Sequence, residues 1–151
     1  MTIGWGGLGI LWGKERPIVT VYVEKRRYTH AFMEANEYFT VEAFAKDYDH
    51  VLKYLGTVSG RDEDKMKGSS LTVGFTDLGT PFFEEGRLVL ECKKLYGALF
   101  DPEGFGELAK RSTATARCTP FISEKSSMRG SGNDPALFSA ECFRLTIIKP
   151  K

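Results

Sequence analysis

The chain has 151 residues, of which 42% are hydrophobic and 13% are aromatic, so its size and composition fit one globular domain with a substantial core. The formal net charge of +1 argues against a nucleic-acid-binding protein, and no apolar run approaches the roughly 20 residues of a membrane-spanning helix. Residues 1–12 have neither the basic start nor the cleavage site of a signal peptide, and the three cysteines show no metal-ligand spacing. We therefore expect a reduced cytoplasmic protein without a metal site.

The first third of the chain predicts two strands with a short helix between them. Residues 1–12 mix glycine with large apolar residues, which predicts a strand end and a Gly-rich loop. Residues 17–23 are rich in β-branched side chains and predict a strand. Thr29 is a candidate N-cap for a short helix. Residues 38–44 alternate apolar and polar side chains, which predicts a second strand with one apolar face.

The rest of the first 110 residues predicts one longer helix and further short elements. Asp47 is a candidate N-cap for this helix, and Gly56 is a candidate C-cap. The later elements, in chain order, are a helical turn at 61–66, a short strand at 71–75, a clear strand at 87–95, and a loop with a short helix at 101–110. Several strands with few helices favour a mainly β protein, namely a small β-barrel with helical excursions.

Two polar segments contain the residues best suited to binding chemistry. Residues 26–29 follow the strand at 17–23, and residues 59–65 follow the longer helix. Both combine guanidinium groups and hydroxyls, and arginine can donate two parallel hydrogen bonds to a phosphate. The start of a following helix adds oriented backbone amides. Such segments are typical of a site that holds the phosphate of a small cofactor.

Other interpretations of these residues stay open. Arg26 and Arg27 at a strand end also fit solvated charges, and the alternating signs of residues 61–65 also fit a salt-bridged helical turn. His30 and His50 have no partner at metal-ligand spacing. Because no nucleophile, acid–base pair or metal cluster stands out, we predict no catalytic side chain.

Six segments of the chain share their order and spacing with a known family. They are Met1-Thr2-Ile3-Gly4-Trp5-Gly6, Arg27-Tyr28-Thr29 with Phe32-Met33-Glu34, Tyr38-Phe39-Thr40, Tyr54-Leu55-Gly56, Ser59-Gly60-Arg61-Asp62 with Lys65, and Pro81-Phe82-Phe83-Glu84. Together they resemble the flavin reductase-like family, the FMN-binding split β-barrels that include flavoredoxin. The resemblance predicts such a domain at residues 1–110 and leaves residues 111–151 as an atypical tail.

The resemblance implies a fold, a cofactor and an activity. The family fold is a six-stranded antiparallel barrel that usually forms homodimers, with FMN near the subunit interface. The implied activity is that of a cytoplasmic oxidoreductase that transfers hydride from NADH or NADPH to flavin. Two alternatives stay open, namely a non-catalytic flavin-binding electron carrier and an inactive remnant of such a protein.

The resemblance also implies a set of cofactor-binding residues. They are Thr2, Ile3, Gly4, Trp5, Arg27, Tyr28, Thr29, Ser59, Gly60, Arg61 and Lys65. The first four would run along the edge of the isoalloxazine ring. Arg27 and Thr29 would contact the phosphate with Tyr28 beside them, and the last four would form a second polar wall.

The chain departs from the family pattern at both ends. The family has a helix and a first barrel strand ahead of the segment that begins at Thr2, so we expect either an upstream start or a truncation. Residues 1–110 carry 14 basic and 17 acidic side chains, whereas residues 111–151 carry 7 and 3. The composition therefore changes near Lys110, and the family pattern ends there.

We hypothesise a frameshift as the origin of the tail. Read from the third base of the Ser112 codon, residues 113–126 permit the run Tyr-Gly-Asp-Gly-Ala-Met-His-Thr-Phe-Tyr-Ile-Gly-Glu-Ile, which looks like the family's C-terminal strand. The alternative is a divergent tail with strands of its own at 119–123 and 143–148.

Overall fold

A computed structural model describes residues 1–4, 6–11, 17–107, 118–130 and 145–146. Nine strands and three α-helices lie within these residues. In chain order they are β1 (Thr2–Ile3), β2 (Gly6–Ile10), β3 (Pro17–Glu24), α1 (Tyr28–Ala35), β4 (Tyr38–Ala43), α2 (Asp49–Thr57), α3 (Lys65–Ser69), β5 (Val73–Phe75), β6 (Pro81–Phe83), β7 (Leu88–Gly97), β8 (Cys118–Gly130) and β9 (Leu145–Thr146). Short 3-10 turns occur at Lys46–Tyr48 and Pro102–Gly104.

The strands form one large antiparallel sheet and one separate hairpin. The sheet has seven strands in the order β1-β9-β4-β7-β8-β3-β2, and β5 pairs with β6. The two edge strands, β1 and β2, are separated in the chain by only Gly4 and one further residue. Because two residues span only a few ångströms, the sheet curls until its two edges lie close together. The mainly β architecture with helical excursions agrees with the prediction from the sequence.

The main core lies on the inner face of this curled sheet. Alternate side chains of a strand point to the same face, and β3, β4 and β7 each contribute three residues in this pattern. The buried cluster consists of Ile3, Val19, Val21, Val23, Met33, Phe39, Val41, Ala43, Leu88, Leu90, Cys92 and Phe121. A second buried cluster, formed by Phe44, Leu52, Leu55 and Phe83, packs α2 against the hairpin β5–β6.

The N-terminal segment differs from the prediction of a Gly-rich loop. Residues Gly6–Ile10 form β2, which pairs along its whole length with β3. All five residues of β2 are exposed. This strand is held by backbone hydrogen bonds to β3 and not by burial of its side chains, so its sequence lacks the apolar alternation that predicts a strand.

The boundaries of all three helices also differ from the prediction. Helix α1 begins at Tyr28 with Arg27 as its N-cap, so Thr29 lies inside the helix. Helix α2 begins after the turn that contains Asp47, and Gly56 lies within its last turn instead of capping it. A Cβ atom on Gly56 would lie 2.2 Å from the Thr2 hydroxyl oxygen, so close packing against β1 explains this glycine. The predicted turn at 61–66 is displaced, because helix α3 begins at Lys65.

The described part of the tail joins the sheet. Strand β8 lies between β3 and β7 and contains residues 119–123, which agrees with the strand expected there for a divergent tail. Residues 113–117 lie outside the described residues. The backbone position of β8 does not decide between a divergent tail and a shifted frame, so the frameshift stays a hypothesis.

Candidate functional site

A cavity of about 1150 Å³ lies between the start of α1, the end of α2 and the hairpin β5–β6. One wall is polar and contains Arg26, Arg27, Thr29, Ser59, Arg61 and Lys65. The opposite wall is apolar and contains Leu55, Val73, Phe75, Pro81 and Phe83. The polar lining also includes Asp62, Glu63 and Asp64, so the cavity offers cations, carboxylates and hydroxyls together with an apolar surface.

Most of the predicted site residues line this one cavity. The structure brings together Arg27, Tyr28, Thr29, Ser59, Gly60, Arg61 and Lys65, although the two polar segments are about thirty residues apart in the sequence. The other four are not among the lining residues. Thr2 packs against Gly56, which lines the cavity; Ile3 is buried in the main core; Gly4 is exposed. Trp5 lies outside the described residues, and Met1, which was not predicted, lines the cavity.

The turn between β3 and α1 places Arg27 at the cavity. The Arg27 backbone N–H donates to the Glu24 carbonyl at 2.9 Å, which closes the turn. Arg27 is the N-cap of α1 and makes no side-chain capping hydrogen bond. The first turn of α1 therefore relies on partners other than a side-chain cap, as a helix start that binds an anion does.

Glu24 divides its carboxylate unequally between the two neighbouring arginines. Arg26 Nε lies 2.6 Å from Glu24 Oε1, whereas Arg27 Nε lies 3.8 Å from Glu24 Oε2. The Arg27 side chain is about half exposed, at 49%. Arg27 thus keeps more of its hydrogen-bonding capacity for a ligand than Arg26 does.

Arg61 connects the two polar segments. Its Nη1 donates to the Arg26 carbonyl oxygen at 3.1 Å. Its guanidinium carbon lies 4.7 Å from the centre of the Tyr28 ring, within the range of a cation–π interaction. Tyr28 in turn packs edge-on against Phe32 of α1 at 4.6 Å. These contacts hold the turn after α2 against the start of α1 and form the polar wall.

Lys65 extends this wall and caps α2. Its Nζ donates to the Leu55 carbonyl oxygen at 2.6 Å, where a cation favourably meets the C-terminal end of the helix. Burial lowers the pKa of Lys65, and the nearby positive charge of Arg27 lowers it further. Arg27 and Lys65 therefore repel each other, whereas the nearby charge of Glu63 raises the pKa of Lys65.

Two of the three acidic side chains of the same turn, Glu63 and Asp64, have hydrogen-bond partners. Glu63 accepts a hydrogen bond from the Tyr54 hydroxyl at 2.5 Å, and this bond raises the pKa of Tyr54. Asp64 caps α3 by accepting from the Met66 backbone N–H at 3.1 Å. Hydrogen bonds to Tyr54 and to the start of α3 therefore fix this turn, in addition to any ion pairs between its alternating charges.

Helix α1 is anchored to the sheet by a buried histidine. His30 Nε2 lies 2.8 Å from the Thr119 hydroxyl of β8, and His30 Nδ1 lies 3.5 Å from Glu34 Oε2. The ring also packs edge-on against Phe121 at 5.8 Å. We assign His30 a structural position, since these contacts fix α1 and with it the cavity wall.

The sequence reasoning missed the buried polar residues behind the apolar wall. Thr40 and Glu42 alternate with the apolar residues of β4, so they would be expected on a solvated face. Both are fully buried instead, with an exposed fraction of 0%. The hairpin β5–β6 covers this face of β4. Because the hairpin comes some forty residues later in the chain, the local sequence of β4 does not predict that this face is buried.

Comparison with known proteins establishes the family. The flavin reductase like domain matches residues 14–99, more than half of the chain. The chain belongs to the flavin reductase-like family, which confirms the resemblance seen in the sequence. A comparison with curated protein sequences finds no match.

Several solved structures share the fold. Flavoredoxin from Methanosarcina acetivorans has a TM-score of 0.67 and 22% identity, with 86% of this chain and 60% of that chain covered. An FMN-binding protein from Thermus thermophilus has a TM-score of 0.69 and 15% identity, with coverages of 98% and 76%. The NADH:FAD oxidoreductase SgcE6 of Streptomyces globisporus C-1027 has a TM-score of 0.65 and 16% identity, with coverages of 88% and 68%.

These similarities support a mainly β fold of the split-barrel type. The chain spans less than two thirds of the length of the Methanosarcina flavoredoxin. Among the described residues, no helix is long and apolar enough to cross a membrane. Within the same residues, no group of three or more His, Cys, Asp or Glu side chains is arranged to hold a metal ion.

Proposed function

We propose that the chain binds FMN in the cavity between α1, α2 and the hairpin β5–β6, and that it acts as an oxidoreductase that takes hydride from NADH or NADPH. The observation that carries this proposal is the crowding of Arg27, Arg61 and Lys65 on one wall. Because Arg27 and Lys65 repel each other, an anion placed between them relieves the repulsion. A phosphate ester is such an anion, and FMN carries one.

The polar wall fits the phosphate. Arg27 and Arg61 can each donate to phosphate oxygens, and Thr29 adds a hydroxyl at the start of α1. A charge-assisted hydrogen bond of this kind contributes about 1.5–3 kcal/mol. The residues present therefore fit the phosphate end of the cofactor.

The rest of the cavity fits an aromatic ring system. Val73, Phe75 and Phe83 provide an apolar surface opposite the cations. The volume of about 1150 Å³ slightly exceeds the roughly 300–1,000 Å³ of common small-molecule sites. We place the ring edge beside residues 1–4, as the family resemblance implies, because Met1 lines the cavity and Thr2 packs on its rim.

The chemistry asks little of the protein's side chains. A bound flavin supplies the hydride-accepting group, whereas the protein supplies binding, orientation and electrostatics. This division agrees with a sequence that offers no clear nucleophile or acid–base pair. The donor, NADH or NADPH, and the cytoplasmic location belong to the proposal, and the fold shared with an NADH:FAD oxidoreductase supports the donor.

The proposal includes a homodimer. Strand β2 is an edge strand with an open side, and Leu8 and Ile10 on it are 46% and 60% exposed. An exposed edge strand with apolar side chains is a common site of association. A non-catalytic electron carrier is the second candidate, favoured by the fold shared with flavoredoxin.

Flavin titration tests the binding proposal. We expect the purified chain to quench FMN fluorescence, and Arg27→Ala and Arg61→Ala to weaken FMN binding by about tenfold or more. Riboflavin lacks the phosphate, so its weaker binding should be the same in all three proteins. Lys67→Ala is the control, because Lys67 lies on the neighbouring α3 outside the cavity lining.

Two results would contradict the proposal. One is equal affinity of the chain for riboflavin and FMN, and the other is unchanged FMN affinity in both arginine variants. Oxidation of NADH or NADPH in the presence of FMN then separates the two candidates. A reductase turns over, whereas a carrier binds flavin and shows no steady-state oxidation.

A further inference from the structure

We propose that Glu42, supported by Thr40, is a positioning residue for the flavin pocket. These two residues hold β6, which supplies Pro81 and Phe83 to the apolar wall of the cavity. The inference rests on the proposed function, since it assigns Glu42 a role in flavin binding. Neither the family resemblance nor the cavity lining points to this residue.

Strands β4 and β6 are connected by hydrogen bonds from side chains of β4 to the backbone of β6, and not by backbone pairing between the two strands. Both carboxyl oxygens of Glu42 accept from the Phe83 backbone N–H at 3.1 Å. The Thr40 hydroxyl donates to the Pro81 carbonyl oxygen at 2.7 Å. Thr40 and Glu42 are two residues apart on one face, and they meet backbone groups that are also two residues apart.

The two side chains also contact each other. The Thr40 hydroxyl points mainly at the Pro81 carbonyl oxygen, and it makes a second, longer donor contact of 3.4 Å with Glu42 Oε1. Burial raises the pKa of Glu42 to about 8, although the hydrogen bonds from Phe83 and Thr40 oppose this shift. At neutral pH the carboxyl therefore keeps its proton while it accepts from the Phe83 backbone N–H.

The contacts of β6 also connect it to the polar wall of the cavity. Phe83 is 1% exposed and packs with Leu55 in the second buried cluster. Leu55 also accepts the hydrogen bond from Lys65 through its carbonyl oxygen. A shift of β6 would therefore disturb the apolar wall and, through α2, the anchor of a cation on the opposite wall.

The chain contains a matched control for Glu42. Glu91 on β7 is directly opposite Thr40, so its side chain lies on the same covered face, and it is 4% exposed. It accepts a hydrogen bond from the Thr76 hydroxyl. Thr76 belongs to the loop at 76–80, which is not part of the cavity lining. Glu91 is thus a buried carboxyl that ties down the same hairpin away from the cavity.

The experiment compares FMN affinity in Glu42→Leu, Glu42→Gln and Glu91→Leu, each made in the full chain. We expect Glu42→Leu to bind FMN about tenfold more weakly or worse, because the Phe83 N–H loses its acceptor. Glu42→Gln keeps an amide oxygen in place and should stay within about threefold of the wild type. Glu91→Leu should lower the melting temperature but leave FMN affinity within about threefold.

Hydrogen exchange of the peptide that contains Phe83 provides a readout without flavin. If this peptide exchanges faster in Glu42→Leu than in the wild type and in Glu42→Gln, the result supports the inference that Glu42 fixes β6. Wild-type FMN affinity in a folded Glu42→Leu variant, or equal losses of affinity in Glu42→Leu and Glu91→Leu, overturns the proposal.

Two further outcomes are decided in advance. If Glu42→Leu does not fold, Thr40→Val takes its place, and unchanged FMN affinity in that variant overturns the proposal. If the wild-type chain binds no FMN, the proposed function fails. Hydrogen exchange at Phe83 then shows separately whether Glu42 fixes β6. If exchange is the same in Glu42→Leu and in the wild type, the inference that Glu42 fixes β6 is also overturned.

Discussion

The buried carboxyl of Glu42 predicts how the stability of the fold depends on pH. Burial raises its pKa from an ordinary 4.5 to about 8, and the negative charge of Glu85 contributes in the same direction. Below pH 4.5 the folded and unfolded chains both carry the proton. Between pH 4.5 and 8 the unfolded chain releases it while the folded chain retains it, so unfolding becomes progressively more favourable.

The size of the effect follows from the two pKa values. At about 1.36 kcal/mol per pKa unit, the difference between 4.5 and about 8 removes about 3–6 kcal/mol of stability once the pH exceeds the folded-state pKa. Domains of this size have a total stability of roughly 5–15 kcal/mol. In the wild-type chain this loss is opposed by the Met1 amino group, because burial lowers its pKa from 8.0 to about 5 and so favours folding as the pH rises through the same range.

Urea unfolding of the wild type and Glu42→Gln measures this contribution. Glutamine does not titrate, so the difference between the two proteins cancels the titrating groups that do not interact with Glu42, whereas the coupling of Glu42 to the Met1 amino group remains in the difference. We expect the variant to gain stability relative to the wild type as the pH rises from 5 to 8, with the full gain above pH 8. A difference that stays constant across this range would refute the reasoning, and so would one that shrinks.

Three further substitutions test the packing of β8. Ser123→Ala should raise the free energy of unfolding by about 1 kcal/mol, because its fully buried hydroxyl is without a hydrogen-bond partner among the described residues. Thr119→Val should lower it by about 1–2 kcal/mol in the same urea assay, since the Thr119 hydroxyl pairs with His30. Gly97→Ala would place a Cβ atom 2.6 Å from the Phe121 ring, so we expect a loss of about 1–3 kcal/mol, and an unchanged melting temperature would show that the ring yields freely.

The strands were the most predictable part of the fold. Residues Pro17–Glu24 and Tyr38–Ala43 form strands because β-branched and alternating apolar side chains favour an extended backbone with one buried face. Helix ends were less predictable. Gly56 was expected to cap α2, but it serves close packing against Thr2, a contact between segments more than fifty residues apart.

The candidate site was predictable in part. The segments at 26–29 and 59–65 were singled out from their residue types, and they line one cavity. Their convergence depends on Arg61 reaching the Arg26 carbonyl, a tertiary contact that no local pattern encodes. The role of the segment at 2–5 stays a prediction, because it lies beside the lining residues or outside the described ones.

Two cations of the polar wall are held by partners that do not neutralise them. Arg61 and Lys65 donate to the neutral carbonyl oxygens of Arg26 and Leu55. A carboxylate in the same position would neutralise the wall and compete with a ligand phosphate. Because carbonyl partners fix these two side chains without neutralising them, both cations keep their charge for an anion, although Asp62, Glu63 and Asp64 also line the cavity.

The orphan hydroxyl of Ser123 also bears on the origin of the tail. In β8, Ser123 is directly opposite Val19, and Phe121 is opposite Val21, so both side chains point into the main core. The shifted frame that we hypothesise places isoleucine at the position of Ser123 and keeps phenylalanine at the position of Phe121. An apolar side chain at position 123 removes the unpaired hydroxyl from the core, so the shifted frame fits this strand better than the frame as read. Sequencing of the gene around the Lys110 codon decides the question, and a well-supported intact frame there would end the hypothesis.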